Sequence, residues 1–458
     1  MAKRLLSYKY IILLIITILA SLYLFKDSFT AYFFQDDWFT FSISKASNLK
    51  EFFQFFMPRT DIIYYRPLGM QVPFFLIRSF FGLNPIAFHI LAFFTHLFNI
   101  LLVYYLIKLI IKNEYIAVLS SFLYGTSAVH YIPFYWFSTF PFILGPTIFL
   151  ISLIFYLKSI ISHQNLFGYS VIFFILGIFV NELMITFPFI LLMMCLYLNQ
   201  DKKNLIRILP FFIIDIGYIF VRFIFFRPPS VGVYRMAINK EVLLNIKGYL
   251  IWLFNWPEEM KYQFQSFFKI NPVFIKEFQF YSYTFILALF IILSVFIIFI
   301  LMNFFLENKF TVIKKLIILF LMFIGSLAPV LFFSSHSFSY YLPIPLILIL
   351  IVFSDLLKII RSLGTGKSKL ISFFITLLIL SWYCSSIAAI RFNYLIHWAP
   401  RRALLSEKLI KGIMEERVIE PDKMIFIIQN TSENKLALNN QDGLKIILND
   451  DRIETHYE

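Results

Sequence analysis

Two adjacent carboxylates, Asp36 and Asp37, follow the first long apolar segment of the sequence. Charged groups at the edge of an apolar segment are costly unless they are solvated or used. A carboxylate in a partly desolvated cavity can act as a general base and accept a proton from a hydroxyl group. The alternative is a solvated loop start, and the pair by itself does not decide between these interpretations.

A second group of candidate residues begins with Tyr65 and Arg66, within the segment Tyr-Tyr-Arg-Pro-Leu at 64–68. The planar guanidinium of arginine donates parallel hydrogen bonds and is well suited to a phosphate. Glu182 and Arg222 stand near the ends of later apolar segments, where they could join the same site. Each arginine could equally extend its charged end to lipid headgroups, and Glu182 could be a simple turn residue.

The apolar segment 86–111 carries three polar residues, His89, His96 and Asn99. Their spacings place them on roughly one face of a helix. Polar residues inside a membrane helix usually face protein or water, and hydrogen bonding to another helix is their commoner role. Direct substrate binding by His89 and His96 is the alternative. A zinc site is disfavoured, because no acidic or Cys ligand completes the set nearby.

The composition places these residues in an integral membrane protein. Of the 458 residues, 60% are hydrophobic, 20% aromatic and only 14% charged. Soluble domains carry about a quarter charged residues, so this chain could not cover a water-facing surface. The net charge of +14 fits a positive-inside bias and attraction to anionic lipid. Nucleic acid is not an expected partner, because the basic residues form no continuous patch.

Hydropathy predicts an all-α polytopic membrane protein with about eleven transmembrane helices. The predicted spans are 8–26, 86–111, 115–132, 140–159, 167–180, 183–199, 207–226, 279–306, 315–334, 339–360 and 369–390. Lys and Arg concentrate in alternate short turns. By the positive-inside rule, the N-terminus is then cytoplasmic and the C-terminus lies outside the plasma membrane.

Two long segments, 27–85 and 227–278, are then outer loops. Within them, the aromatic stretches 49–57, 67–81 and 241–256 are too short or too polar to span a bilayer. Such stretches are typical of helices that lie at the level of the headgroups.

The sequence predicts a transmembrane domain over 1–398 and a small extracytoplasmic region over 399–458, where the chain turns polar. In this region, 400–419 is predicted as a helix. The short apolar runs 424–429 and 444–448 are predicted as strands.

The order of these motifs resembles the GT-C superfamily of membrane glycosyltransferases that use polyprenyl-phosphate sugars. The similarity is greatest to its bacterial family-39-like and RgtA/B/C/D-like branch, which is related to the membrane part of the tetratricopeptide O-mannosyltransferases. The resemblance covers about residues 5 to 400. The matching motifs are the Asp-Asp pair, Tyr65-Arg66-Pro67-Leu68, Phe88-His89, His96-Leu97-Phe98-Asn99, Val129-His130 with Trp136, Asn181-Glu182 with Pro188, Arg222 and Tyr341-Leu342-Pro343.

This resemblance implies a GT-C-like helix bundle and an inverting glycosyltransferase. The donor would be a sugar on a polyprenyl phosphate, and the acceptor, a glycan, lipid or protein, is left open. Asp36 would deprotonate the acceptor hydroxyl, and Asp37 would orient the acceptor or support Asp36. The candidates for binding substrate and phosphate are Tyr65, Arg66, His89, His96, Glu182 and Arg222.

No cofactor is implied, although a divalent metal is left open. The alternative function is a transporter or flippase for a lipid-linked saccharide. Transporters tend to carry internal repeats and polar residues near the bilayer midplane. In this chain the notable polar residues cluster instead at the predicted outer boundary, which favours an enzyme.

Overall fold

The structure is a computed structural model, which describes residues 2–59, 62, 64–226, 232, 234–236, 238–266, 269–333, 336–361, 368–419 and 424–458. Within these residues, eight helices are long and apolar enough to cross a membrane. They are Tyr8–Thr30, Pro85–Ile111, Phe137–Ile161, Lys202–Phe225, Gln279–Leu306, Lys309–Leu331, Pro343–Arg361 and Lys369–Ile396. The chain is therefore a multi-pass membrane protein with a helical membrane part, as its composition predicts.

The α-helices of the described residues are numbered here in chain order. They are α1 (Ala2–Phe25), α2 (Asp36–Ile43), α3 (Leu49–Gln54), α4 (Val72–Phe81), α5 (Pro85–Ile111), α6 (Glu114–Gly125), α7 (Tyr131–Tyr135), α8 (Pro141–Ile161), α9 (Phe167–Val180), α10 (Phe187–Tyr197), α11 (Lys202–Ile206), α12 (Leu209–Phe225), α13 (Lys240–Trp252), α14 (Pro272–Glu277), α15 (Gln279–Leu306), α16 (Lys309–Leu331), α17 (Pro343–Arg361), α18 (Ser368–Ile396), α19 (Trp398–Ile419), α20 (Ser432–Leu438) and α21 (Asp442–Leu448).

The long helices divide into a buried centre and a lipid-facing shell. In the most apolar windows of α8 and α17, 78% of the residues are buried, against 17% in the segment that contains α12 and 28% in α15. Because lipid offers no hydrogen bonds to the backbone, an apolar segment in a bilayer satisfies its own amides by forming a helix. The shell helices also expose large apolar side chains on their outward faces.

Three predicted spans fold as shorter helices. The predicted span 115–132 forms the 12-residue α6, a 3₁₀ turn and the short α7. The spans 167–180 and 183–199 are represented by α9 and α10, which are also shorter than a typical transmembrane helix. Eleven spans therefore stays a prediction.

The predicted outer loops contain five short helices, of which α3, α4 and α13 coincide with the aromatic stretches, whereas α2 and α14 were not predicted. The first loop holds α2, α3 and α4, and a π-helical turn, Pro67–Gln71, runs directly into α4. The second loop holds α13 and α14. Among these elements, α2 carries both acids, and the π-helical turn begins directly after Arg66.

The C-terminal residues combine α19, α20 and α21 with a two-stranded parallel sheet, in which β1 (Ile425–Ile428) pairs with β2 (Glu454–Tyr457). The predicted helix and the first predicted strand are present. The prediction of a strand at 444–448 is wrong, because these residues form most of α21. A short apolar run does not by itself distinguish a buried strand from a buried helical turn.

Candidate functional site

Asp37 is buried and uses both of its carboxylate oxygens inside the protein. Its Oδ1 accepts hydrogen bonds from the backbone N–H and the hydroxyl of Ser138, at 2.7 and 2.8 Å. Its Oδ2 accepts from the backbone N–H of Phe34 at 3.2 Å. Burial raises the pKa of Asp37 to about 7, although these hydrogen bonds lower it. Asp37 thus ties the first turn of α2 to the turn that precedes α8.

Asp36 has a different environment. It is half-buried, and among the described residues no donor forms a hydrogen bond or ion pair with its carboxylate. Burial raises its pKa to about 6, while the positive charges of Arg66 and Arg402 lower it. A carboxylate in this state is ionised at neutral pH and remains basic enough to accept a proton. Of the two acids, Asp36 is therefore the one available for chemistry.

Aromatic side chains support the segment that leads into α2. Phe33 meets Phe41 and Phe88 edge to face, with ring centroids 4.9 and 5.0 Å apart. Phe41 and Phe88 in turn contact Phe74 on α4. Edge-to-face pairs add a geometric preference to simple burial. This cluster therefore fixes the position and direction of the segment that carries both acids.

Arg66 is held in place by Glu182, which lies 116 residues further along the chain. Its Nε donates to Glu182 Oε2 at 2.5 Å, and the backbone N–H of Tyr65 donates to Oε1 at 3.0 Å. The guanidinium also lies over the rings of Tyr64 and Phe142, at 5.4 and 5.0 Å. No acceptor among the described residues pairs with its two terminal nitrogens. These nitrogens are therefore available to an anion.

A close backbone contact at Gly69 makes this pairing possible. A Cβ atom at this position would lie 2.2 Å from the carbonyl oxygen of Val180 and 3.1 Å from the side chain of Pro141. Asn181 donates a hydrogen bond to the Pro141 carbonyl at 3.1 Å. The π-helical turn after Arg66 can thus pack directly against the end of α9, next to Glu182.

Arg222, near the end of α12, approaches the same carboxylate. Its Nη1 lies 3.8 Å from Glu182 Oε1, and its guanidinium lies 5.1 Å from the centre of the Phe226 ring. Glu182 therefore bridges two guanidinium groups. The structure brings together four of the predicted residues, Tyr65, Arg66, Glu182 and Arg222.

Tyr234 links this cluster to Asp36. Burial raises the pKa of its hydroxyl, the charge of Asp36 raises it further, that of Arg66 lowers it, and that of Glu182 raises it. The charges of Asp36, Arg66 and Glu182 therefore all act on this one hydroxyl, so the three groups share one electrostatic environment.

Sequence reasoning missed three side chains near this site: Tyr234, His336 and Arg402. His336 packs against Tyr234 with ring centroids 4.3 Å apart. Burial and the charges of Arg66 and Lys261 lower its pKa to about 3, so it is neutral at physiological pH. The sequence carried one partial signal, since His336 precedes the Tyr-Leu-Pro motif that the GT-C resemblance had singled out.

His89 and His96 are buried in α5 and contact backbone carbonyl groups. His89 Nε2 lies 2.8 Å from the carbonyl oxygen of Ala31, and His96 Nε2 lies 3.1 Å from that of Gly125. The His96 ring also packs against His130 at 4.4 Å. The structure does not bring either histidine into contact with Arg66. These contacts fit the expected role in joining neighbouring segments.

In the part of the chain that the structure describes, no group of three or more His, Cys, Asp or Glu side chains is placed to hold a metal ion. Around the acid pair, both oxygens of Asp37 already accept hydrogen bonds from Ser138 and Phe34, and Glu182 pairs with two guanidinium groups. This donor set does not fit a divalent cation.

Fold and site together define a polytopic membrane protein in which Glu182 contacts Arg66 and Arg222, and in which the charge of Arg66 acts on Asp36, a carboxylate without a partner in the described part of the chain. No family model matches the chain, and no curated protein matches it. Among solved structures, the chain is similar to the crystal structure of ArnT from Cupriavidus metallidurans bound to undecaprenyl phosphate. The alignment covers 96% of this chain and 89% of that chain, with 11% sequence identity and a TM-score of 0.47. The argument for function therefore rests on this chain's own contacts.

Proposed function

We propose that this chain is a GT-C-type membrane glycosyltransferase, which transfers a sugar from a polyprenyl-phosphate donor to an extracytoplasmic hydroxyl group. One observation carries the proposal. Among the residues that the structure describes, no donor pairs with the Asp36 carboxylate, and the charge of Arg66, whose terminal nitrogens are open to an anion, acts on it. A base and a phosphate-binding group are the two functions that such a transfer needs from the protein.

Arg66 would bind the donor phosphate through its terminal nitrogens. Guanidinium–phosphate pairs are charge-assisted and often bidentate. Glu182 accepts a hydrogen bond from the Nε of Arg66 and so orients the two terminal nitrogens of the guanidinium group. When the bond between sugar and phosphate breaks, negative charge grows on the phosphate, and a fixed guanidinium stabilises that charge. Arg222 would add a second positive charge on the other side of Glu182.

Asp36 would accept the proton of the acceptor hydroxyl. The hydroxyl oxygen forms a bond to the anomeric carbon as the bond from that carbon to the phosphate oxygen breaks, and the lipid phosphate leaves. Attack opposite the leaving group inverts the anomeric carbon. Asp37 would support Asp36 by fixing the turn through its bonds to Ser138 and Phe34. The reaction so written uses no metal ligand from this chain.

The lipid tail of the donor would lie against the outward face of α12. Phe220 and Phe223 on this helix are exposed, at 66% and 67%, and lie within one turn of Arg222. Exposed aromatic side chains of this kind suit an isoprenoid chain. We infer that the N-terminus is cytoplasmic and that the site opens to the outside of the plasma membrane, as the distribution of Lys and Arg predicts. The acceptor could be a glycan, a lipid or a protein.

The test compares membranes that carry the wild type, Asp36→Asn or Asp37→Asn. The assay measures transfer of labelled sugar from a polyprenyl-phosphate donor to endogenous acceptors. Loss of a general base costs about 10²- to 10⁴-fold in rate, so we expect Asp36→Asn to lose product on that scale. Asp27→Asn is the matched control, because Asp27 is an exposed acid in the 3₁₀ turn after α1.

Equal product from the wild type and Asp36→Asn would overturn the assignment of the base. A transporter is the rival outcome. It predicts that labelled lipid-linked saccharide crosses the bilayer of reconstituted vesicles while no sugar reaches an acceptor.

A further inference from the structure

The C-terminal residues pack directly against the first turn of α2, which carries the acid pair. The fully buried Trp38 donates through its Nε1 to the carbonyl oxygen of Ala437 at 3.0 Å, and the same nitrogen lies 3.3 Å from Ser406 Oγ. The backbone N–H of Gln35 donates to the Ala437 carbonyl at 3.3 Å. One carbonyl in the C-terminal region thus receives hydrogen bonds from both sides of the acid pair.

Arg402, on α19, makes the most specific of these contacts. Its Nη1 donates to Gln35 Oε1 at 2.8 Å. Its Nε and Nη2 donate to the two carboxylate oxygens of Glu433, at 2.8 and 3.0 Å. Its guanidinium also lies over the Trp398 ring at 4.9 Å. A bidentate pair fixes the plane of a guanidinium, so the nitrogen that meets Gln35 is held in one position.

Gln35 has a backbone conformation that needs such support. Its φ is +52° and its ψ is −124°. Residues with a Cβ atom rarely adopt positive φ, and they do so where the surrounding structure holds them there. Gln35 immediately precedes Asp36, so its backbone conformation decides where α2 begins and in which direction the Asp36 carboxylate points.

We propose that Arg402 is a positioning residue for the transfer reaction. It holds Gln35 in its positive-φ conformation and thereby directs Asp36 into the site. The C-terminal region is then a part of the active site, not a separate appendage. The catalytic consequence rests on the proposed function. The hydrogen bond from Arg402 to Gln35, here called the clamp, does not depend on it.

The charge of Arg402 gives the clamp a second measurable effect. Burial raises the pKa of Asp36, and the positive charges of Arg66 and Arg402 lower it. Loss of the Arg402 charge would raise the pKa of Asp36. Because the base acts in its ionised form, the acidic limb of the pH–rate profile would then move to higher pH.

The first experiment measures structure without activity. Amide hydrogen exchange of the segment 31–41 is compared between the wild type, Arg402→Ala and Arg402→Lys in detergent or nanodiscs. We expect faster exchange in both variants, because lysine keeps the charge but not the planar fork. Lys411→Ala is the matched control, since Lys411 lies on the same helix and pairs with Glu407 at the surface, with its own side chain 71% exposed.

The second experiment measures the reaction across pH. Arg402→Ala is expected to lower kcat about 10- to 100-fold, leave the KM for the donor unchanged and shift the acidic limb upward. Arg402→Lys is expected to lower kcat without that shift, because it keeps the charge. Gln35→Gly should retain more activity than Gln35→Ala, since glycine adopts positive φ without strain.

Unchanged exchange in 31–41 together with unchanged kcat in Arg402→Ala would overturn the inference, as would an equal effect of Lys411→Ala. If exchange changes as expected but the wild type transfers no sugar, the clamp stands and the proposed function fails. Arg402→Lys keeps the assay decisive should Arg402→Ala fail to fold.

Discussion

Glu182 offers the sharpest test of how the site is built, through the substitution Glu182→Gln. Glutamine keeps the shape of the side chain but removes its charge and replaces one oxygen with a donor. In the wild type both oxygens face donors, namely Arg66 Nε, the Tyr65 N–H and Arg222 Nη1. The new amide group therefore faces at least one donor that it cannot satisfy, and the orientation of Arg66 is lost.

The structure gives the expected size of the effect. The side chains of Glu182 and Arg66 are only 15% and 18% exposed, so water screens their pairing weakly. A hydrogen bond to a charged group contributes about 1.5–3 kcal/mol. If that energy is lost from the transition state, kcat/KM for the donor falls about 10- to 150-fold, because 1.36 kcal/mol corresponds to a factor of ten.

The assay measures transfer from a labelled polyprenyl-phosphate donor, with the thermal stability of each variant recorded in the same detergent. Glu114→Gln is the control, because Glu114 pairs with Lys108 at 2.6 Å where both side chains are 35–43% exposed. An exposed pair of this kind contributes at most about 1 kcal/mol. The reasoning is refuted if Glu182→Gln keeps the wild-type kcat/KM, or if both variants lose the same amount.

Two further predictions concern the acid and the glycine of the site. Because the pKa of Asp36 is raised to about 6 and the base acts in its ionised form, the transfer rate should fall as pH drops below about 6, with a single-proton slope in kcat. A flat profile from pH 5 to 8 would contradict this. Gly69→Ala should lower both the Tm and the transfer rate, because its Cβ would collide with the Val180 carbonyl at 2.2 Å. Gly168→Ala, which would meet no atom within 4 Å, should leave both unchanged.

The membrane class and much of the site could be predicted from the sequence. Arg66, Glu182 and Arg222 were each ambiguous, since a lone charge near the end of an apolar segment can simply reach the headgroups. The physical constraint that joins them is that charges in a partly desolvated place must find partners. Two arginines and one acid at such ends satisfy this requirement together, and the structure pairs them.

The family resemblance suggested Asp36 as the base, but no local pattern in the sequence separates the roles of the two acids, because their difference depends in part on a residue 101 positions away. Asp36 and Asp37 are chemically identical neighbours. The turn that brings Ser138 against Asp37, together with the N–H of Phe34, distinguishes them. The contact of Arg402 with Gln35 spans 367 residues and leaves no local pattern either. Hydropathy and spacing describe segments, whereas these roles arise from contacts between segments.

Three locally unfavourable features lie together at this site. Gln35 adopts a positive φ, Asp36 remains half-buried with no hydrogen-bond partner for its carboxylate among the described residues, and a π-helical turn follows directly after Arg66. Each costs stability where it stands, and such features persist where the surrounding contacts hold them in place. Asp37, Glu182 and Arg402 provide those contacts. Their side chains hydrogen-bond to Ser138 and Phe34, to Arg66, and to Gln35, respectively. This arrangement is expected of a site that keeps a base and a guanidinium ready for a substrate, because a purely structural loop would gain stability by pairing Asp36.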